Sequence, residues 1–156
     1  MIDSFQGEFR FLSNFYSAPV VMDAKLYPTI EHAYQAAKTF DLGMREQIRL
    51  AATPSVAKRL GRLVLLRPDW DTFRLEAMEE LLRQKFAKPT LRPRLIETWP
   101  HELVEGNTWG DTFWGAVLVH RPTPWDSEPV PCWDGENHLG RLLMKIRNEI
   151  TSGGVV

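Results

Sequence analysis

Leu139, Leu142, Leu143, Ile146 and Ile150 stand at i, i+3, i+4, i+7 and i+11, the spacing that gathers apolar side chains on one stripe of an α-helix. Such a stripe is stable only against other elements, so the chain must pack its C-terminal helix on a core built upstream. Helix signals recur there. Pro28-Thr29 opens a run from Ile30 to Phe40 without Gly or Pro, with Thr29 as N-cap and Glu31 complementing the helix N-terminus. Thr53-Pro54 is a cap followed by proline at the first helical position of a helix over 54–61. Leu75, Met78, Leu82 and Phe86 mark the core stripe of a helix over 71–88, and further helices are expected over 42–52 and near 91–98.

Strand signals are few. Pro19-Val20-Val21-Met22 and Lys25-Leu26-Tyr27 flank Asp23-Ala24 as strands flank a tight turn. Glu8 to Leu12 alternates weakly, and short strands are expected near 102–105 and 113–120. The class expected is α+β, mostly α, with a few short strands, rather than a parallel doubly wound sheet. At 156 residues with no low-complexity linker, one compact domain over 1–156 is expected. Its one break in texture is Pro122 to Pro131, where four prolines remove backbone donors and an ordered or semi-rigid surface excursion is expected.

Composition narrows the function classes. A lone cysteine, Cys132, excludes an intramolecular disulfide framework. No apolar run approaches the ~20 residues of a membrane span, and Met1-Ile2-Asp3-Ser4-Phe5 lacks the regions of a signal peptide. A cytoplasmic, reduced protein away from membranes is the expectation. The net charge of −1 hides an uneven distribution: residues 41–100 carry 12 Lys and Arg against 8 Asp and Glu, and residues 101–156 carry 4 against 8. The basic middle suits either an anion site or the solvated faces of Arg-rich helices.

Several chemistries lack their residues. There is no Gly-rich phosphate loop, no CxxC and no HExxH, and the four histidines are scattered, so neither a metal nor a cofactor is expected. What remains is a stripe of acid, amide and amine, Glu31, Gln35 and Lys38, on the first long helix. Read alone, it could equally be an exposed face carrying a weak charge pair. Polar residues also sit among aromatics at Phe11 to Tyr16, Asp69-Trp70, Asn107 to Gly115 and Asp134 to Gly140. Aromatic planes beside carboxylates suit a flat heterocycle, although each tryptophan could instead pack in the core. Asn137, directly before the last helix, could also be an ordinary N-cap, and Gly140 could serve close packing.

Four of these segments together resemble the NADAR family, with its YbiA-type members: Phe11-Leu12-Ser13-Asn14-Phe15, Pro28 to Lys38 through Glu31-His32-Ala33-Tyr34-Gln35, Asp111-Thr112-Phe113-Trp114-Gly115, and Gly135-Glu136-Asn137-His138-Leu139-Gly140 continuing to Arg147. The likeness spans roughly residues 5–150 and departs from the family mainly in a Pro-rich insertion at about 116–134. It implies a mostly helical fold and hydrolysis of an N-glycosidic bond to ribose. YbiA-like members are associated with ribosylamino-pyrimidine phosphates of riboflavin synthesis. Others are similar to antitoxins that remove ADP-ribose from guanine in DNA, paired with DarT-type transferases. The Gly-Glu-Asn-His-Leu-Gly form is closer to that second branch. The expected function is therefore release of ADP-ribose from guanine in nucleic acid, with pyrimidine nucleotide cleavage or non-catalytic ADP-ribose binding as alternatives. The same resemblance carries Glu31, Trp70 and Asp111 over as site residues.

The chemistry suggests roles. In both substrate classes ribose C1 is joined to an exocyclic amino nitrogen whose lone pair can open the sugar to an imine. Lys38 could attack that imine if its amine is neutral, which requires burial or a cationic neighbour. Direct hydrolysis through an oxocarbenium-like state is the other route. In either, Glu31 is the general acid/base, Asp111 positions water or ribose hydroxyls, and Trp70 stacks on the base. Trp114 is a further substrate-binding candidate, Asn14 and Asn137 are candidates for ribose or phosphate, and Arg59 and Arg62 for the diphosphate.

Overall fold

The computed structural model describes residues 1–125 and 128–153. The chain gathers into two compact units, one formed by Phe11–Arg94 and the other by Met1–Arg10 with the chain from Leu95 onward.

In the first unit, a hairpin of β1 (Val20–Met22) and β2 (Lys25–Tyr27) is followed by α1 (Ile30–Ala37), α2 (Leu42–Arg49), α3 (Pro54–Gly61) and α4 (Trp70–Ala87). The hairpin pairs Val20 with Tyr27 and Met22 with Lys25. Its turn residues Asp23 and Ala24 have φ of 49° and 60°, the pair of positive values that matches a two-residue turn to strand twist. Capping is local and as expected. The Thr29 side chain accepts from the His32 N–H, and the Thr53 side chain from Val56 N–H ahead of Pro54. Asp41 caps α2 in the same way through the Met44 N–H.

α1 is the hub of this unit and packs against α2, α3, α4 and β1. All eight of its residues are buried, including Glu31, His32 and Gln35. The polar stripe is therefore not a solvated face, and its polar groups must find partners inside the protein. His32 does so, with Nε2 donating to the Ala51 carbonyl and Nδ1 facing the Thr29 hydroxyl at 2.8 Å. On α4 the buried face comprises Trp70, Ala77, Met78, Leu81, Leu82, Lys85 and Phe86, and Leu75, expected in that stripe, is only half-buried.

α5 (Arg92–Glu97) carries the chain from one unit to the other in sequence. The second unit holds a sheet in the order β3-β4-β5, from β3 (Gly106–Asn107), β4 (Ala116–Arg121) and β5 (Val130–Asp134), followed by α6 (His138–Thr151). β3 runs parallel to β4, and β5 antiparallel. Leu139, Leu143, Ile146 and Ile150 of α6 are buried, as the stripe requires, with Leu142 at its half-buried margin. A Cβ on Gly140 would lie 2.1 Å from the Leu103 carbonyl, so close packing does explain that glycine.

Three local expectations differ. Residues 7–12 form a 3-10 helix instead of a strand. The strand near 102–105 reduces to a single bridge between Leu103 and Ile2, with β3 beginning at Gly106. Part of the Pro-rich excursion is the edge strand β5, where Pro131 sits opposite His120, a position that tolerates a missing donor because it lies at the sheet margin. Asp126 and Ser127 of the excursion lie outside the described residues.

Candidate functional site

Glu31 occupies the first turn of α1 with 6% of its surface exposed. Its backbone N–H donates to the Asn14 carbonyl at 3.1 Å, which fixes the 13–16 turn against the start of the helix. Its Oε1 accepts a 2.7 Å hydrogen bond from Gln35 Nε2 one turn on. The other end of that amide, Gln35 Oε1, is buried and has no hydrogen-bond partner. It rests against Gly61 at the end of α3, where a Cβ would come within 1.9 Å. Gly61 is what allows Gln35 to reach Glu31.

Lys38 follows the last residue of α1, half-buried, with Nζ 5.7 Å from the centre of the Tyr34 ring. Burial lowers its pKa below the ordinary lysine value. Glu31 opposes that shift, while Lys58 and Arg62 add to it. These are the two conditions, desolvation and cationic neighbours, under which a lysine becomes a nucleophile near neutral pH. The same interactions place Glu31, Lys38, Lys58 and Arg62 within one electrostatic neighbourhood. Arg59 is exposed on α3 and does not perturb Lys38.

Trp70, at the start of α4, is buried against Tyr34 with ring centres 5.1 Å apart at 51°. It forms an aromatic wall with Tyr34 rather than an open stacking platform. Asn14 is buried too. Its Nδ2 has only the Met78 sulfur as acceptor, at 3.5 Å, and its Oδ1 has no partner. Unsatisfied buried amide oxygens are costly unless something else completes them. The two residues that carry such oxygens both bond to Glu31, Gln35 through its side-chain amide and Asn14 through its backbone carbonyl.

The remaining candidates belong to the other unit. Asn107 Oδ1 accepts from the Asp111 N–H at 3.0 Å, and its Nδ2 donates to the Asp111 and Ala116 carbonyls at 2.7 and 3.2 Å. Asp111 Oδ1 in turn accepts from the N–H groups of Phe113 and Trp114 at 3.1 and 2.9 Å. One oxygen of Asp111 thus shapes the Asp111–Gly115 turn. Trp114 is half-buried, with its ring 5.0 Å from Phe113 and 6.3 Å from His138.

Asn137 differs from expectation. Its Oδ1 accepts from Glu105 N–H at 3.0 Å and its Nδ2 donates to the Leu103 carbonyl at 2.9 Å. Its side chain makes no N-cap hydrogen bond to α6. One bond at each polar end ties 103–105 to the helix start, which leaves the amide one donor and one acceptor position beyond that structural role. Residue-by-residue reading passed over Tyr34 and Lys58, which act on Trp70 and Lys38 across other helices, and Asn107, whose amide holds the nearby Asp111 turn. Among the described residues, no group of three or more His, Cys, Asp or Glu side chains could hold a metal ion.

Comparison with known proteins shows the family and the fold. The model of the NADAR domain matches residues 3–151. N-glycosidase YbiA of Escherichia coli K12 is 37% identical over 141 residues, which is 88% of this chain and 79% of that protein. An N-glycosidase of Nostoc punctiforme is 35% identical over 144 residues, covering 88% and 83%. A riboflavin biosynthesis protein of Vibrio vulnificus is 34% identical over 143 residues, 90% of this chain but 35% of the larger relative. The NMR structure of E. coli YbiA superposes with a TM-score of 0.76 at 34% identity, over 97% of this chain and 86% of that one.

Proposed function

The chain belongs to the NADAR domain family as a hydrolase of N-glycosyl bonds, and from that premise we propose that its substrate is guanine carrying ADP-ribose, in nucleic acid, with a DarT-type ADP-ribosyltransferase as its functional counterpart. The observation that carries the chemistry is a buried carboxyl group, Glu31, beside a half-buried amine, Lys38, whose proton is loosened by desolvation and by two cations. The Gly135-Glu136-Asn137-His138-Leu139-Gly140 sequence, with its likeness to ADP-ribose-associated relatives, favours this substrate. The riboflavin-related name of a relative supports a second reading, cleavage of a ribosylamino-pyrimidine phosphate by the same groups.

The mechanism follows from the residues. The exocyclic nitrogen lone pair expels the ring oxygen from ribose C1, which takes up a proton and leaves a C1 iminium. Neutral Lys38 adds to C1, and Glu31 carries the proton lost by the lysine to the departing heterocycle nitrogen. The C1–N bond to the base breaks, leaving an imine between C1 and Lys38. Water adds to that imine, the amine departs, and the freed aldehyde recloses to ribose. Glu31 also opposes the lowering of the Lys38 pKa, which keeps the amine from losing its proton too readily. Lys58 and Arg62 supply positive charge for the substrate phosphates.

The test is mass spectrometry of a guanine-ADP-ribosylated oligonucleotide and of a ribosylamino-pyrimidine phosphate, each incubated with wild type and with Glu31→Gln. Loss of ADP-ribose from the oligonucleotide with wild type alone is the expected result. Turnover of the pyrimidine alone moves the function to metabolite clearance, and an active Glu31→Gln protein removes the mechanism.

A further inference from the structure

The Phe11–Arg94 unit contains a cavity of about 390 Å³ outside the Glu31–Lys38 pair, lined by Ala37, Phe40, Phe73, Arg45, Arg67 and Asp23 among others. Its two guanidinium groups are locked in place. Arg67 Nε and Nη2 hold Asp69 at 2.6 and 2.9 Å, and its Cζ lies 3.6 Å from the centre of the Phe73 ring and 4.5 Å from that of Phe40. Arg45 Nε donates to the Thr39 carbonyl at 2.6 Å and Nη1 pairs with Asp23. Each guanidinium therefore keeps one terminal nitrogen, Nη1 of Arg67 and Nη2 of Arg45, without a partner among the described residues. Neither nitrogen is among the buried atoms that lack a partner, so both are open to solvent, and as pure donors they can turn to an acceptor such as phosphate.

An aromatic surface accompanies these donors. Phe40 is 59% exposed, while Arg67 covers part of its ring. The rings run on from Phe40 across Arg67 to Phe73, then Trp70 and Tyr34. The cavity is also joined to the candidate site through the backbone: Ala37 lines it, and the Arg67 N–H donates to the Lys38 carbonyl at 2.7 Å. Ala37 lies six residues along the helix from Glu31, about 9 Å along the axis.

We propose that this cavity is a subsite for the nucleoside-diphosphate end of the substrate, with the base on the open part of Phe40 and phosphate oxygens on Arg45 Nη2 and Arg67 Nη1. The inference rests on the N-glycosidase reading and deepens it. The heterocycle that is released must lie beside Glu31 and Lys38, where Lys58 and Arg62 already supply positive charge. A second arene with its own guanidinium donors is useful only to a substrate with a second heterocycle and a further phosphate, which an ADP-ribosylated base has and a pyrimidine monophosphate lacks. A volume near 390 Å³ suits a ligand fragment of small-molecule size.

The experiment is titration of the full chain with ADP, and with ribose 5-phosphate as control, by calorimetry and amide chemical shifts, for wild type, Phe40→Ala and Arg45→Gln. Phe40 is exposed, so its variant keeps the fold, which a thermal melt checks. ADP should bind and shift amides around Phe40 and Arg67, and each substitution should weaken it about tenfold, the loss of one stacking or charged contact. ADP should also compete with turnover of the ADP-ribosylated oligonucleotide, and Phe40→Ala should raise its KM by the same factor. Absence of ADP binding, binding that ignores both substitutions, or binding without competition overturns the proposal. Titration needs no turnover, so ADP bound at Phe40 in a protein that cleaves neither substrate upholds the nucleotide site while the catalytic reading fails.

Discussion

Gly61→Ala tests the reasoning about the site without touching a reacting group. A methyl at that position would stand 1.9 Å from Gln35 Oε1, 2.7 Å from its Cδ and 2.9 Å from its Cβ. Gln35 cannot hold its place, and its 2.7 Å hydrogen bond to Glu31 is broken. Overpacking costs about 1–3 kcal/mol, and losing a hydrogen bond to a buried charged group costs about 1.5–3 kcal/mol. Alanine returns about 1 kcal/mol of helix propensity, so the net destabilisation is about 1.5–5 kcal/mol. Urea unfolding gives this number directly. The cycle with Gln35→Ala separates crowding from propensity: removing the amide removes the two shortest contacts, so the double variant should be more stable than the sum of the singles by at least about 1 kcal/mol. Turnover should fall in Gly61→Ala, because Glu31 loses the partner that orients it. A Gly61→Ala protein as stable and as active as wild type would refute the account of how Glu31 is held.

Borohydride added during turnover should trap a ribosyl adduct on Lys38, seen by peptide mass spectrometry; no adduct favours direct hydrolysis. The rising limb of the pH–rate profile should lie below the ordinary lysine range, because the neutral amine is the reactive form. Arg62 lowers the Lys38 pKa, so Arg62→Ala should move that limb to higher pH. At Asp111, asparagine preserves the oxygen that accepts from Phe113 and Trp114 and alanine does not. Asp111→Asn should therefore keep the melting temperature of wild type while turnover falls, and equal turnover in Asp111→Asn and wild type removes the carboxylate from the chemistry. Lys85 is fully buried with its Nζ on the Ser13 carbonyl at 2.7 Å, and burial pushes its pKa down to about 7 from 10.5. Between those values the unfolded chain holds a proton that the folded one does not, so stability rises with pH across that window, by up to about 5 kcal/mol in all. Urea midpoints of wild type should climb from pH 7 to pH 9 and those of Lys85→Met should not; parallel slopes would refute it.

How much of this was legible in the sequence depended on the range of the interaction involved. Thr29, Thr53 and the Asp23-Ala24 turn act within four residues, and the α6 stripe repeats within one helix, so local pattern sufficed. The Glu31–Gln35–Lys38 stripe was visible as a pattern but not as an environment. Only the packing of α2, α3 and α4 on α1 turns a surface-like stripe into a buried one. Asn137 misled for the same reason: its amide serves backbone 32 and 34 residues away, where a helix start in the sequence suggests a cap. Prolines hid β5 because they argue against a central strand and say nothing of an edge. Lys85 lies three residues after Leu82 and seven after Met78, inside an apolar stripe, and a cation there reads equally well as the margin of that stripe. Its burial, like the partnerless oxygens of Asn14 and Gln35, is a place where the fold breaks its own rules. All three lie around Glu31, directly or through the 13–16 turn. Residues that cost stability are expected at functional sites, and that clustering, which no sequence periodicity contains, is why we propose Glu31 as the centre of the mechanism.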